Sequence, residues 1–302
     1  MSGDANIKLH PISAHLFRID GENKGRFPRA HAFYVKDEIC ALIDSGCGVS
    51  ILEAFKNKYP VDLVINSHCH PDHGAGNWLF PEQPLWVPED GTDSHGRINP
   101  LSNRLVEPGE LAETWKAFVR EAMGFRDSQP TNRYRNGQVF DFGRLKLTAL
   151  STPGHTLDHT CFFDSSQGLL LSFDIDLTAY GPWYGNRESD LSAFRSSLQR
   201  IRELKPQSLA SSHREVVSSD KIPDELDRYE AVFSERNKKI LGLLSDQPRR
   251  MNELLAHSPF YGGHPYAPAL LRYWEGLMIR KHLDELIRQG QVWEEEDRVG
   301  LV

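Results

Sequence analysis

The stretch Ser67-His68-Cys69-His70-Pro71-Asp72-His73-Gly74-Ala75-Gly76-Asn77 constrains this chain more than any other. Three histidines and an aspartate fall within six residues there, directly after an apolar run over 61–66 that reads as a strand. Imidazoles and a carboxylate crowded this closely repel as charges or lose hydration without partners, so core packing does not account for them. A divalent ion resolves the conflict, because it binds neutral imidazole and offsets carboxylate charge. His68 and His70, alternating in an extended turn, reach one ion, while Asp72 and His73 aim at a second. Gly74 and Gly76 let the backbone fold tightly beneath them. The same alternation turns Cys69 away, and it reads as a buried, inert thiol.

Around this motif the chain alternates strands and helices. Residues 31–35 and 38–43 read as strands, and 49–59 as a helix with Ser50 as its cap. Residues 136–150 read as a hairpin, and 160–163 and 169–173 as further strands. Leu191, Phe194, Leu198 and Ile201 repeat at spacings of three and four, giving an amphipathic helix over 190–204 that Pro206 follows. Residues 208–211 form a last short strand. Two segments break the pattern. Residues 88–135 are polar and hold one clear helix, 110–123, so they read as an insertion near the candidate site. From 223 onward the periodicity is helical, over 225–244, 251–257 and 270–289, with a hairpin at 291–302. That outline is the one of a winged-helix module, which divides the chain into 1–222 and 223–302.

Composition limits the partners. Lysine and arginine total 35 against 42 aspartates and glutamates, a net charge of −7. Residues 224–302 carry 11 basic against 14 acidic side chains. A nucleic-acid reader would show a basic face instead. No uncharged apolar run is long enough for a membrane span, and residues 1–20 lack a basic-then-apolar signal pattern. The four cysteines form no CxxC pair and read as reduced thiols, so a cytoplasmic location is expected.

The histidine-rich stretch resembles the HxHxDH signature of the metallo-β-lactamase superfamily, and the resemblance continues in order along the chain. Leu42-Ile43-Asp44-Ser45-Gly46 is similar to the family's early strand-end motif, whose aspartate stands behind the metal site. Thr152-Pro153-Gly154-His155-Thr156 resembles the next ligand motif, Ser172-Phe173-Asp174 the strand that ends in a bridging aspartate, and Ser211-Ser212-His213 the last histidine. Phe173 replaces the family's usual glycine, and Ser212 and Arg214 replace the glycines that usually flank the last histidine.

The resemblance implies an α/β (α+β) fold: a four-layer αββα sandwich with two mixed sheets face to face, followed by a smaller helical C-terminal domain. It implies that His68, His70 and His155 hold one ion, that Asp72, His73 and His213 hold a second, and that Asp174 bridges them. Zinc is the foremost candidate for both ions, with iron and manganese suited to the same donors. The implied chemistry is two-metal hydrolysis by a bridging water of lowered pKa, with Asp72 shuttling a proton to the leaving group.

The aromatic loop of Tyr180, Trp183 and Tyr184 lies where the family's substrate pocket is commonly bordered. The expected activity is hydrolysis of a small ester, thioester or lactone. Phosphodiester or RNA cleavage, an iron-dependent redox reaction and non-catalytic ligand sensing are the alternative readings. The expected partner is a small molecule rather than nucleic acid or membrane. The C-terminal segment, with a Gly- and Pro-rich stretch at 258–269, is expected to cover the site mouth or to mediate homodimer contacts.

Overall fold

Strands covered on both faces need unbroken apolar runs, and Ala32–Val35, Ala41–Ile43 and Leu169–Phe173 are buried at every residue. In the computed structural model, which describes residues 7–302, such runs form the centres of two sheets. The first holds β1 (Leu9–Pro11), β2 (Leu16–Ile19), β3 (Ala32–Val35), β4 (Ala41–Ile43), β5 (Leu63–Ile65), β6 (Leu85–Pro88) and β7 (Asn132–Tyr134) in that order. It is antiparallel up to β4 and parallel from there on. The second holds β8 (Val139–Asp141), β9 (Lys146–Ser151), β10 (Thr160–Asp164), β11 (Leu169–Phe173), β12 (Ser208–Ser211) and β13 (Val217–Ser218), with only β11 and β12 parallel.

Because successive side chains point to opposite faces, each sheet supplies two layers of packing. Phe33, Ile43 and Ile65 of the first sheet meet Phe140, Leu147, Phe162 and Phe173 of the second. On the outer face of the first sheet, Tyr34, Leu42 and Val64 carry Leu52 and Phe55 of helix α1 (Val49–Lys56). The next helices are α2 (Pro71–Gly74), α3 (Ile98–Leu105) and α4 (Glu110–Met123), then α5 (Leu191–Leu204). On the outer face of the second sheet, Leu170 and Leu209 carry Phe194 and Leu198 of α5. The result is the four-layer αββα sandwich. Helix α5 starts where the Asp190 side chain accepts a hydrogen bond from the Ala193 amide at 2.6 Å. It ends at Lys205, in the left-handed region, just before Pro206.

Several elements differ from the sequence expectation. The N-terminal strands β1 and β2 were not anticipated, and both are short. Ser50 does not cap α1: Gly48, at φ 121°, occupies the cap position, and the Ser50 hydroxyl donates to Glu22 instead. The 88–135 insertion holds a second helix, α3, and ends in β7, which completes the first sheet at its edge. Asn132-Arg133-Tyr134 is too short and polar to announce itself as a strand; parallel pairing with β6 organises it.

The remaining elements are α6 (Ile222–Leu243), β14 (Arg249–Arg250), α7 (Met251–Ala256), α8 (Pro268–Arg288), β15 (Val292–Glu295) and β16 (Arg298–Leu301). The three strands pair in the order β14-β16-β15. This segment shares one apolar cluster with the sandwich, running from Leu170, Leu198 and Leu209 to Phe233, Met278, Leu283 and Val299. Leu270, Leu271 and Trp274 of α8 also pack on Leu101, Leu105 and Trp115 of the insertion. Among the described residues, no helix is long and apolar enough to cross a membrane.

Candidate metal centre

The parallel strands β4 and β5 end side by side, and the two loops that leave them are locked together. The Ser45 amide donates to the His73 carbonyl at 2.7 Å, and the Gly76 amide returns to the Ser45 carbonyl at 3.0 Å. Ser45 Oγ and Asn66 Nδ2 both donate to Asn77 Oδ1, while Asn77 Nδ2 donates to Asn66 Oδ1. Gly46 lies so close to this turn that a Cβ there would stand 1.3 Å from the Asp72 carbonyl oxygen. The histidine-rich turn is therefore held by its scaffold before any ligand enters.

Ends of distant strands deliver the other side chains. His155 follows β9, Asp174 follows β11 and His213 follows β12. Asp174 reaches inward because β11 carries a register shift between Leu171 and Phe173, and Phe173 itself adopts φ 47°. That left-handed conformation costs a non-glycine residue about 1–2 kcal/mol. It explains physically why glycine suits the position, and the fully buried Phe173 ring offsets the cost by packing 5.8 Å from Phe33 and 5.7 Å from Phe162.

Two groups of donor atoms result, one of His68, His70, His155 and Asp174 and one of Asp72, His73 and His213. In the first, His70 Nδ1 lies 3.0 Å from His68 Nε2 and 2.8 Å from His155 Nε2. Nitrogens placed tetrahedrally about 2.05 Å from a zinc ion stand about 3.3 Å apart, so this spacing fits one shared ion. Asp174 lies between the groups: Oδ2 is 3.0 Å from His155 Nε2, while Oδ1 is 2.9 Å from His73 Nε2 and 3.3 Å from His213 Nε2. Yet His73 Nε2 and Asp174 Oδ1 are buried and make no aligned hydrogen bond. Two close, buried, unsatisfied donor atoms are what a cation site presents, so the residues fit a metal pair.

The far side of each ring is fixed. His73 Nδ1 is 2.7 Å from Asp44 Oδ2, and Asp44 also accepts from the Ser67 amide and hydroxyl at 2.8 Å each. His155 Nδ1 donates to the Trp183 carbonyl, and His213 Nδ1 to the Gly25 carbonyl. His70 Nε2 faces the Asn186 amide at 2.5 Å. Such partners set which ring nitrogen points at the centre.

Electrostatics divides the same residues. Burial, reinforced by neighbouring imidazoles, pushes His68 and His70 well below the usual histidine range, so both present neutral rings. His73 goes the other way: burial opposes its proton, but the Asp174 and Asp44 carboxylates override burial and raise it. Against the same burial cost, Asp174 and Asp176 raise His213 to about 9. The second group thus holds excess negative charge that retains a cation, proton or metal.

The predicted pocket aromatics separate. Tyr180 and Trp183 line a cavity of about 750 Å³ whose floor includes His70, Asp72, His155, Asp174 and His213. Tyr184 does not line it. Its fully buried ring stacks on Phe233, and its hydroxyl meets His282 Nε2 at 2.6 Å and Arg236 Nη1 at 2.8 Å. Alternation along the loop turns Tyr184 into the core when Trp183 faces the cavity. Cys69 is buried against Ala75 and Leu101, and burial raises its thiol well above the usual range.

Sequence reasoning passed over three residues that support the site. His159 accepts from the Asp174 amide at 3.3 Å, and its position four residues after His155 was its only signal. Asn186 and Arg18 had none. Arg18, almost fully buried, clamps Glu215 through two bonds of 2.7 and 3.0 Å beside the His213 turn.

Known proteins resemble this chain. A metallo-β-lactamase family protein from Thermus thermophilus superposes with a TM-score of 0.73 at 21% identity, covering 97% of this chain and all of that one. An atrochrysone carboxyl ACP thioesterase from Pseudocercospora fijiensis is 26% identical over 292 residues, or 93% of this chain and 76% of that protein. The lactamase-like protein nscB of Trichophyton equinum is 24% identical over 212 residues, and the match covers 68% of this chain but only 53% of the fungal protein. The model of the metallo-beta-lactamase superfamily matches residues 26–213, from the cavity mouth to the last histidine. With well over half of its length matched in this way, the chain belongs to the metallo-β-lactamase superfamily.

Proposed function

We propose that the chain is a metal-dependent hydrolase of thioesters. The observation that carries this reading is the meeting of two donor groups at Asp174 on the floor of a largely apolar cavity. His68, His70 and His155 would hold one divalent ion and Asp72, His73 and His213 a second, zinc foremost, with Asp174 shared. When bound, the pair supplies Lewis acidity and activates water at neutral pH. The chain does the rest. The Asp44 carboxylate and the Trp183 and Gly25 carbonyls orient the imidazoles. Asp72, on the cavity floor, has a carboxyl raised by burial and can hold and pass a proton toward the leaving group.

Within the general hydrolytic reading, the choice of thioester over ester or lactone rests on likeness to the Pseudocercospora thioesterase. Phosphodiester and RNA cleavage are disfavoured by the wall, where Arg26 is the single lysine or arginine among the described lining residues. The helix–strand–helix–helix–hairpin order of residues 222–302 supports reading that segment as a winged-helix module used as a cavity wall.

The test is metal analysis of the purified chain paired with a panel of thioesters, lactones, phosphodiesters and RNA. We expect about two ions per chain and thioester turnover. Asp72→Ala should abolish turnover with the melting temperature little changed, and Asp44→Asn should weaken metal retention about 10–100-fold. A chain that stays metal-free in zinc, iron and manganese, or an Asp72→Ala variant with full activity, would overturn the reading.

A further inference from the structure

The cavity is much larger than the centre beneath it requires. At about 750 Å³ it lies within the range of roughly 300–1,000 Å³ that encloses a ligand of drug size, far beyond an acetyl group. Its walls come from three separate parts of the chain. Trp115 and Phe118 belong to the insertion, Trp183 to the loop after β11, and Tyr261, Tyr266 and Trp274 to the C-terminal segment. Apart from Asp176 and Arg26, the charged lining side chains all belong to the metal centre.

These rings form a connected set rather than scattered packing. Trp183 lies 5.6 Å from both His70 and His155, ring centre to ring centre, and meets Trp274 edge-to-face at 5.8 Å. Its indole N–H donates to the Tyr261 hydroxyl at 2.9 Å. Tyr261 is in turn placed by the fully buried Glu275, whose carboxylate accepts from the Phe260 and Tyr261 amides at 2.7 and 3.0 Å and from the Ser258 hydroxyl at 2.8 Å. The Gly- and Pro-rich loop is thus tied down with its aromatic side facing the centre. Tyr180, 38% exposed, continues the set by stacking on Tyr261 at 5.9 Å, and Tyr266 is 55% exposed and lines the same cavity.

We propose that this chamber receives an aromatic acyl group, so that the substrate is the thioester of an aromatic carboxylic acid. The inference rests on the thioester reading above. A flat ring offers edges and faces to Trp183 and Trp274 in the arrangement those two already adopt, which a flexible alkyl chain does not. The acyl carbon then lies over Asp72, Asp174 and His213, with the thiol portion leaving by way of the mouth. In the reaction, water oxygen bonds to the acyl carbon and the carbon–sulfur bond breaks. The products are the aromatic carboxylate, the free thiol and one proton.

The experiment compares N-acetylcysteamine thioesters of acetate, octanoate and 2-naphthoate on the metal-loaded full chain. We expect kcat/KM for the naphthoyl compound to exceed that for the acetyl compound about 100-fold, and to exceed that for octanoyl. Trp274→Ala should lower the naphthoyl-to-acetyl ratio about tenfold. Since Trp274 is buried, the exposed Tyr266→Ala serves as the second variant and should lower the same ratio. Uncharged 2-naphthamide should quench tryptophan fluorescence, and do so in metal-free protein as well. Equal kcat/KM for all three thioesters, an octanoyl preference, or no quenching by 2-naphthamide would overturn the inference while leaving thioester hydrolysis intact. Turnover of phosphodiesters or lactones with every thioester inert would instead overturn the thioester reading.

Discussion

Arg104 offers a stringent test of how the insertion is joined to the loops of the candidate metal centre. It extends from α3 into a buried acidic cluster beside Cys69. Its guanidinium bonds Glu188 through Nε and Nη2 at 2.6 and 2.7 Å and approaches the two Asp158 oxygens at 3.0 and 3.3 Å. Burial alone would raise the Asp158 carboxyl, but Arg104 and His95 hold it well below the usual carboxylate range. Arg104→Met keeps the stem and removes the charge, leaving both carboxylates near a buried thiol, with His95 Nε2 still 2.5 Å from Asp158.

Removing one member of a buried ion pair costs about 3–5 kcal/mol. Glu188 retains 17% side-chain exposure and can turn toward water, whereas Asp158 has none, so the cost falls mainly on Asp158 and nearer to about 3 kcal/mol. For a chain of this length that corresponds to a fall in Tm of about 5–10 °C. Thermal and urea unfolding of Arg104→Met, Asp158→Asn and the double variant measure it. The double variant should recover about half of the loss, because the stranded charge is gone. A single variant within about 1 kcal/mol of the parent, or a double variant no better than the single, would refute the argument.

Two further predictions concern the scaffold. Gly46→Ala forces a methyl onto the Asp72 carbonyl, so the histidine-rich turn must move; metal content should collapse, and retention of full metal content would show that the β4 loop does not set the turn. His282 is buried between Tyr184 and Asn237, and burial together with Arg236 and Arg195, against Glu285, lowers it to about 3. Its neutral form is favoured in the fold while the unfolded chain takes a proton near pH 6.5. Stability is therefore full above that pH and declines by up to a few kcal/mol as pH falls toward about 3. His282→Gln should flatten this decline in urea unfolding between pH 7 and 4, and an unchanged slope would assign it to other groups.

The parts of this molecule most legible from sequence are those whose local pattern and tertiary role agree. The 190–204 periodicity produced α5, and the runs over 169–173 and 208–211 became β11 and β12, because an apolar stripe has only one way to be buried. His68, His70 and Asp72 stand out because three-dimensional crowding is already present in one dimension. His155, Asp174 and His213 have no such local signature, and only family likeness pointed to them. Tyr184 and Tyr180 show the opposite difficulty. Both sit in one aromatic loop, and which faces the cavity depends on Arg236, a helix α6 residue whose guanidinium reaches the Tyr180 and Pro182 carbonyls. Strand β7 was invisible because its identity comes from β6 rather than from Asn132-Arg133-Tyr134 itself.

The shared apolar cluster changes what the last eighty or so residues can be. A module with its own oily centre can be gained, lost or exchanged as a cassette, since cutting its tether exposes nothing. Here Phe233, Met278 and Leu283 fill against Leu198 and Leu209, and Trp274 reaches the insertion, so severing the chain near Ile222 would strip the second sheet's outer helix and unroof the chamber together. Change in this segment is therefore bound to change in the pocket: what reshapes the tail reshapes the walls of the chamber.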